Sequence, residues 1–86
     1  MEHMEVQFDF VEKNGGACVT KILSPGAACV IPETLSGLPV TELGDKALAQ
    51  TGVEEVFLPR TLRRLGRYCF YGCERLSHIH FYGGPL

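Results

Sequence analysis

The sequence predicts a short stack of repeated coils, a mainly β or α/β solenoid of parallel strands and short helical turns with an N-terminal β-hairpin over one end. One observation predicts the stack. Residues 40–58 (VTELGDKALAQTGVEEVFL) and 62–81 (LRRLGRYCFYGCERLSHIHF) are imperfect copies of one unit. A period in this range is the mark of a repeat architecture, because one such unit has an apolar face and nothing of its own to cover it. A second observation predicts the hairpin: residues 5–12 alternate apolar and polar around Val6, Phe8 and Phe10, and Asn14-Gly15-Gly16 follows. Alternation of period two reads as a half-buried strand, and Asn-Gly is a strong hairpin turn signal.

The elements follow in order. Residues 5–12 and 17–23 form the two hairpin strands. Residues 28–31 (ACVI) are a short strand that stops at Pro32, which has no N–H to give a ladder. Residues 35–39 read as a loop. Residues 40–44 are a short extended piece, residues 45–50 one helical turn, and residues 53–58 a strand ending at Pro59. The next copy repeats these as 62–66, 67–73 and 76–81. Val40 matches Leu62, Leu43 matches Leu65, Gly44 matches Gly66, Ala47 matches Cys69 and Leu48 matches Phe70, all at an offset of 22. Val53 then matches Leu76, Val56 matches Ile79 and Leu58 matches Phe81 at an offset of 23. Equivalent strands should lie side by side in a parallel sheet, about 4.8 Å apart. The expected division is a hairpin cap over 1–27, about two and a half repeat units over 28–81 and a loose tail over 82–86, all in one structural domain.

Bulk properties narrow the function. The chain has 86 residues, 45% of them hydrophobic and 21% charged, with a net charge of −2. That balance fits a folded protein and gives no pull toward nucleic acid or a membrane surface. No apolar run is long enough to cross a bilayer, so no membrane insertion is expected. The start, MEHMEVQF, has no apolar segment of the secretory type. The expectation is an intracellular protein if the chain is whole, and a surface or secreted one if it is part of something longer.

Chemistry-bearing residues are few. Cys18, Cys29, Cys69 and Cys73 lack zinc-finger or zinc-ribbon spacing, although His78 and His80 follow Cys73 closely. Cys69 occupies the core position of Ala47 and reads as a small buried hydrophobe. Cys73 falls at a turn where its thiol can meet backbone groups. No metal site, cofactor or catalytic residue is assigned. The histidines lack a nucleophile at readable spacing, Gly15-Gly16 lies in a turn rather than a phosphate loop, and Glu54 and Glu55 point to opposite sides of a strand. Arg60, Arg63, Arg64 and Arg67 form a basic cluster. Without interleaved aromatics it reads as a solvated face rather than a nucleic-acid site.

The run GVEEVFLPRTLRRLGRYCFYGCERLSHIHF resembles leucine-rich repeats of the BspA-like type. That pattern sets apolar residues on a strand, then Pro, a second Leu, Leu-Gly or Ile-Gly, Ala-Phe, and Cys and Leu opening the next copy. Here the series is Val53, Val56, Leu58, Pro59, Leu62, Leu65, Gly66, Cys69-Phe70, Cys73, Leu76, Ile79 and Phe81. The earlier CVIPETLSGLPVTELGDKAL is similar to an opening copy, with Ile31-Pro32 in place of Leu58-Pro59 and a five-residue insertion. Leu48 stands where the pattern has Phe. The resemblance covers residues 28–81 and implies a non-catalytic binding scaffold, as in long bacterial surface proteins that act in adhesion. It brings no functional residues with it.

The repeat register does select candidates. With Cys29, Ile31, Val56, Leu58, Ile79 and Phe81 turned inward, alternation turns Ala28, Val30, Glu55, Phe57, His78 and His80 outward. The offsets stack Ala28, Glu55 and His78 in one row and Val30, Phe57 and His80 in another, with Tyr82 extending the face. Glu55 beside His78 could form a charge pair, the blander reading being a minor surface contact worth about 0–1 kcal/mol. Exposed Val30 and Phe57 together suggest a covered surface. The partner-binding candidates are therefore Val30, Glu55, Phe57, His78, His80 and Tyr82. The expected function is protein binding. The alternative is self-association, as a homodimer through the uncapped strand 76–81.

Overall fold

A computed structural model describes residues 6–81. β1 (Gln7–Lys13) and β2 (Gly16–Leu23) form the antiparallel hairpin. Asn14 and Gly15 both have positive φ, 54° and 81°, as a two-residue hairpin turn of the favoured hand requires. Thr20 is an extra residue opposite Asp9–Phe10, and its Oγ1 donates to the Asp9 carbonyl at 3.1 Å. This bulge on β2 lets Val19 and Ile22, three residues apart, both turn into the core, while plain alternation on the first strand packs Val6, Phe8 and Phe10 against it.

Two columns of parallel strands follow. β3 (Ala28–Val30), β6 (Glu55–Leu58) and β8 (His78–Phe81) form one sheet in that order. Its register pairs Cys29 with Val56 and Val56 with Ile79, so the strand rows read from the sequence offsets are the rows that form. The second column holds β2, β5 (Leu38–Leu43) and β7 (Arg64–Leu65), again parallel. Val19 pairs with Leu43 and Leu43 with Leu65. Gly44 N–H donates to Val19 O and Gly66 N–H to Leu43 O, each at 2.6 Å. The second hairpin strand thus occupies the place of a repeat's short strand, a role its own sequence pattern does not announce.

The inserted residues before β5 are a second hairpin. β4 (Thr34–Leu35) pairs antiparallel with β5 around Ser36-Gly37, whose φ values are 50° and 82°. Residues 35–39, expected as a loop, are therefore half strand.

No helix forms among the described residues. Residues 45–50 and 67–73 are successive turns, closed by Ala49 N–H to Lys46 O at 3.1 Å and Tyr71 N–H to Tyr68 O at 3.0 Å. Lys46 and Tyr68 hold φ of 61° and 56°, and Gln50 and Gly72 hold 60° and 75°. A right-handed helix cannot pass through a left-handed residue, so each turn is closed off before a helix can grow. These pairs are repeat equivalents at the offset of 22. The left-handed kinks are consequently part of the coil geometry. They aim alternate N–H groups at the next layer: Lys46, Leu48 and Gln50 donate to Arg67, Cys69 and Tyr71 carbonyls at 2.9, 3.0 and 2.7 Å.

Between the columns lies a core of Val19, Ile22, Cys29, Ile31, Val40, Leu43, Leu48, Val53, Val56 and Leu58, all almost fully buried, with Ala47, Leu62 and Cys69 beside them. Among the described residues no polar side chain is buried with them. Burial fails in the last layer. Leu65, Ile79 and Phe81 occupy core rows, yet they are 37%, 37% and 50% exposed because no described layer lies beyond them.

Candidate functional site

The outward face of the β3-β6-β8 sheet carries five of the six residues read from the sequence; Tyr82 lies outside the described residues. In register, Val30 stands beside Phe57 and Phe57 beside His80. The Phe57 and His80 rings stack at 4.3 Å with a 6° tilt, and the His78 ring lies 5.9 Å from His80. Val30 is 60% exposed. Strand pleating produces this strip, since alternate side chains leave the same face and equivalent positions in neighbouring strands lie within contact range.

The ion pair differs from the expectation. Glu55 lies in register with His78, but its Oε1 reaches the diagonal neighbour His80 at Nε2, 3.7 Å away. His78 is engaged elsewhere, with Nδ1 3.0 Å from Ser77 Oγ. Stacking on Phe57 holds the His80 ring so that Nε2 turns toward Glu55 and away from solvent. At 3.7 Å the contact is longer than a hydrogen bond, and Nε2 has no hydrogen-bond partner among the described residues. The pair carries charge attraction only when the imidazole is protonated.

The basic cluster spreads over the turns between the columns. Arg60 meets Glu33 at 4.0 Å. Arg63 and Arg64 border a hollow with Lys13, Asn14, Thr41 and Glu42, where Lys13 pairs with Glu42 at 3.3 Å. A second hollow lies between Lys46, Tyr68 and Tyr71. Those two tyrosines meet edge to face at 5.9 Å and are 64% and 60% exposed. Sequence reasoning passed over this pair. The available signal was that Tyr68 and Tyr71 flank buried Cys69 and half-buried Phe70.

The cysteines are free thiols. Burial pushes the Cys29 and Cys69 pKa values up to about 11 from 9.0, and raises that of Cys18. This is the reverse of what a thiolate nucleophile needs. Cys73 Sγ donates to Leu48 O at 3.0 Å and lies 3.5 Å from Thr51 Oγ1. Among the described residues no three His, Cys, Asp or Glu side chains converge as a metal set. Two outcomes are expected. In native protein near pH 8 a thiol reagent labels half-buried Cys73 first, and labels Cys29 and Cys69 only as fast as the fold opens. Raised folded pKa values favour the protonated thiols in the fold. Their stabilising contribution is therefore full below about pH 9 and is lost as pH rises through about 11. Alkaline melts of Cys29→Ala should lose part of that slope.

Stacked layers, parallel strands in two columns and a Leu-Gly corner at Leu43-Gly44 and Leu65-Gly66 define a leucine-rich-repeat fold. Solved structures agree. The leucine-rich repeat protein of T. pallidum superposes with a TM-score of 0.82 and 33% identity over 85% of this chain and 36% of that one. A leucine-rich repeat protein from Bacteroides capillosus gives 0.79 and 26% over 86% and 60%. One from Bacteroides ovatus gives 0.69 and 25% over 92% and 22%. The structural neighbours are thus bacterial leucine-rich repeat proteins, and the chain spans less than two thirds of each. No protein-family model and no curated protein matches the sequence.

Proposed function

We propose that the chain is a non-catalytic protein-binding scaffold and that its contact surface is the outward face of the β3-β6-β8 sheet. The single observation behind this is the Val30–Phe57–His80 strip, an exposed valine in register with two stacked rings and a carboxylate at its edge. Aromatic side chains held rigidly on a sheet give large contact area at little entropy cost. The resemblance of residues 28–81 to BspA-like repeats supports placing it in a longer bacterial surface adhesin, as does the greater length of the solved relatives. The test is selection of a displayed peptide library on immobilised protein, followed by affinity measurement with Phe57→Ser/His80→Ser. The double variant is expected to keep its circular dichroism and to bind the selected peptides at least about tenfold more weakly. Unchanged affinity in the folded variant would reject this face.

A second reading is self-association through the last layer. It is favoured by the exposure of Ile79 and Phe81, which occupy core rows, and by the outer edge of β8, which pairs with no further strand among the described residues. Exposed apolar side chains beside an open strand edge are a standing template for pairing.

A further inference from the structure

A hollow of about 350 Å³ opens on the turns that join the two strand columns, lined by Lys46, Tyr68 and Tyr71. That volume is at the small end for a ligand site and suits a single ring rather than a folded surface. Tyr68 is the repeat equivalent of Lys46 at the offset of 22. Both hold the left-handed φ already described, a conformation that disfavours a bulky side chain. Lys46 is exposed although the layer of Tyr68 follows it, so this position points out of the stack whether or not another layer is added. The hollow offers two kinds of surface. The tyrosine rings, edge to face, supply apolar area. Both phenol hydroxyls and the Lys46 ammonium have no hydrogen-bond or ion-pair partner among the described residues. The neighbouring acid, Asp45, already accepts the Arg67 N–H at 2.7 Å. Among the described residues Lys46 therefore supplies the charge that lines the hollow.

We propose that this hollow binds a sugar ring that bears a carboxylate. Such a ring has an apolar C–H face to lie on a tyrosine, hydroxyls at its edge for the two phenol O–H groups, and an acid for Lys46. Other small ligands leave part of the site unused. A simple carboxylate engages the ammonium alone, an uncharged sugar forgoes it, and an aromatic acid leaves both hydroxyls to water. The site is separate from the β3-β6-β8 face, and neither proposal depends on the other. An open site with one exposed charge holds a single sugar weakly, with a Kd on the order of 1 mM.

Amide-resolved NMR titration with methyl glucuronide tests it, beside methyl glucoside, sodium benzoate and sodium acetate. Glucuronide should shift the signals of residues 45–50 and 67–73 and saturate. Glucoside should act on the same residues about fivefold more weakly, for want of the ion pair. Lys46→Gln should bring glucuronide down to the level of glucoside and leave glucoside unchanged, a split that general destabilisation does not produce. Tyr68→Asn puts a residue that accepts positive φ at the left-handed position. It should stay folded by circular dichroism and bind both sugars about tenfold more weakly. No saturable shift at these turns with glucuronide overturns the proposal. Benzoate or acetate binding as tightly as glucuronide overturns the sugar assignment. A folded Tyr68→Asn that binds glucuronide unchanged removes the ring from the site and overturns it as well.

Discussion

Replacing Gly66 with alanine is expected to destabilise the fold by about 3 kcal/mol or more, a large part of the total for a chain of this size. The reason is the spacing of the layers. A methyl group on Gly66 would lie 2.5 Å from Asp45 N and from Gly44 C, and 2.7 Å from Asp45 Oδ1. Two of these are backbone atoms of the preceding layer, held by the Gly66 N–H bond to Leu43 O and by Arg67 N–H bonded to Asp45 Oδ1 at 2.7 Å. Relief requires the last two layers to part, which breaks that ladder and opens the core beneath it. The equivalent glycine one layer earlier gives a graded comparison. At Gly44 the nearest atom would be Val19 O at 3.0 Å, so alanine there should cost less. Gly52 has nothing within 4 Å and supplies the control. Thermal melts should order the variants Gly52, Gly44, Gly66, with the last shifted down by more than about 12 °C. A Gly66→Ala melt that overlays wild type would mean that the layers are not this closely stacked.

The repeat register is what the sequence disclosed most fully, because equal offsets translate directly into neighbouring strands. Cys29, Val56 and Ile79 form one row and Val30, Phe57 and His80 another, with no need to know any side-chain angle. What escaped depends on features that residue type does not carry. The turns at 45–50 and 67–73 have apolar spacing that suits a helix, and only left-handed φ at Lys46, Gln50 and Tyr68 prevents one. None of those residue types announces a positive φ. The one clue was Gly72, which stands where the earlier copy has Gln50. The β4–β5 hairpin was hidden because its strands are only two residues deep around Ser36-Gly37 before Pro39 interrupts the pattern.

The candidate face was legible to the level of rows but not of partners. Pairing Glu55 with His78 assumed that side chains bind directly across the strands. Diagonal neighbours on a sheet lie about 7–8 Å apart at Cα, within reach of a glutamate and an imidazole. The stacked Phe57 ring decides between the two by fixing where His80 points. That choice is a packing outcome, invisible until the rings are placed. The exposure of the last layer follows from the repeat count.

The same row also yields the largest contrast expected between two chemically identical substitutions. Val56→Asp and Ile79→Asp place a carboxylate at adjacent register positions on neighbouring strands. Val56 has no exposure, and Cys29 and Ile79 flank it in the row. A carboxylate there must either stay ionised without a buried partner or take up a proton. Either course costs several kcal/mol, roughly the whole stability of a small domain. Val56→Asp should therefore be unfolded near neutral pH, without cooperative melting. Ile79 is 37% exposed, so an aspartate there can turn to water and should cost about 1 kcal/mol in dilute protein. Circular dichroism melts of the two variants at low concentration check the contrast. Equal destabilisation would show that the Ile79 row is covered in solution even in dilute protein. The interpretation as an open end would then fail, and with it the self-association reading that depends on it. A folded Val56→Asp would instead dismantle the register itself, since Val56 is the middle member of the row on which the stacking of all three strands depends.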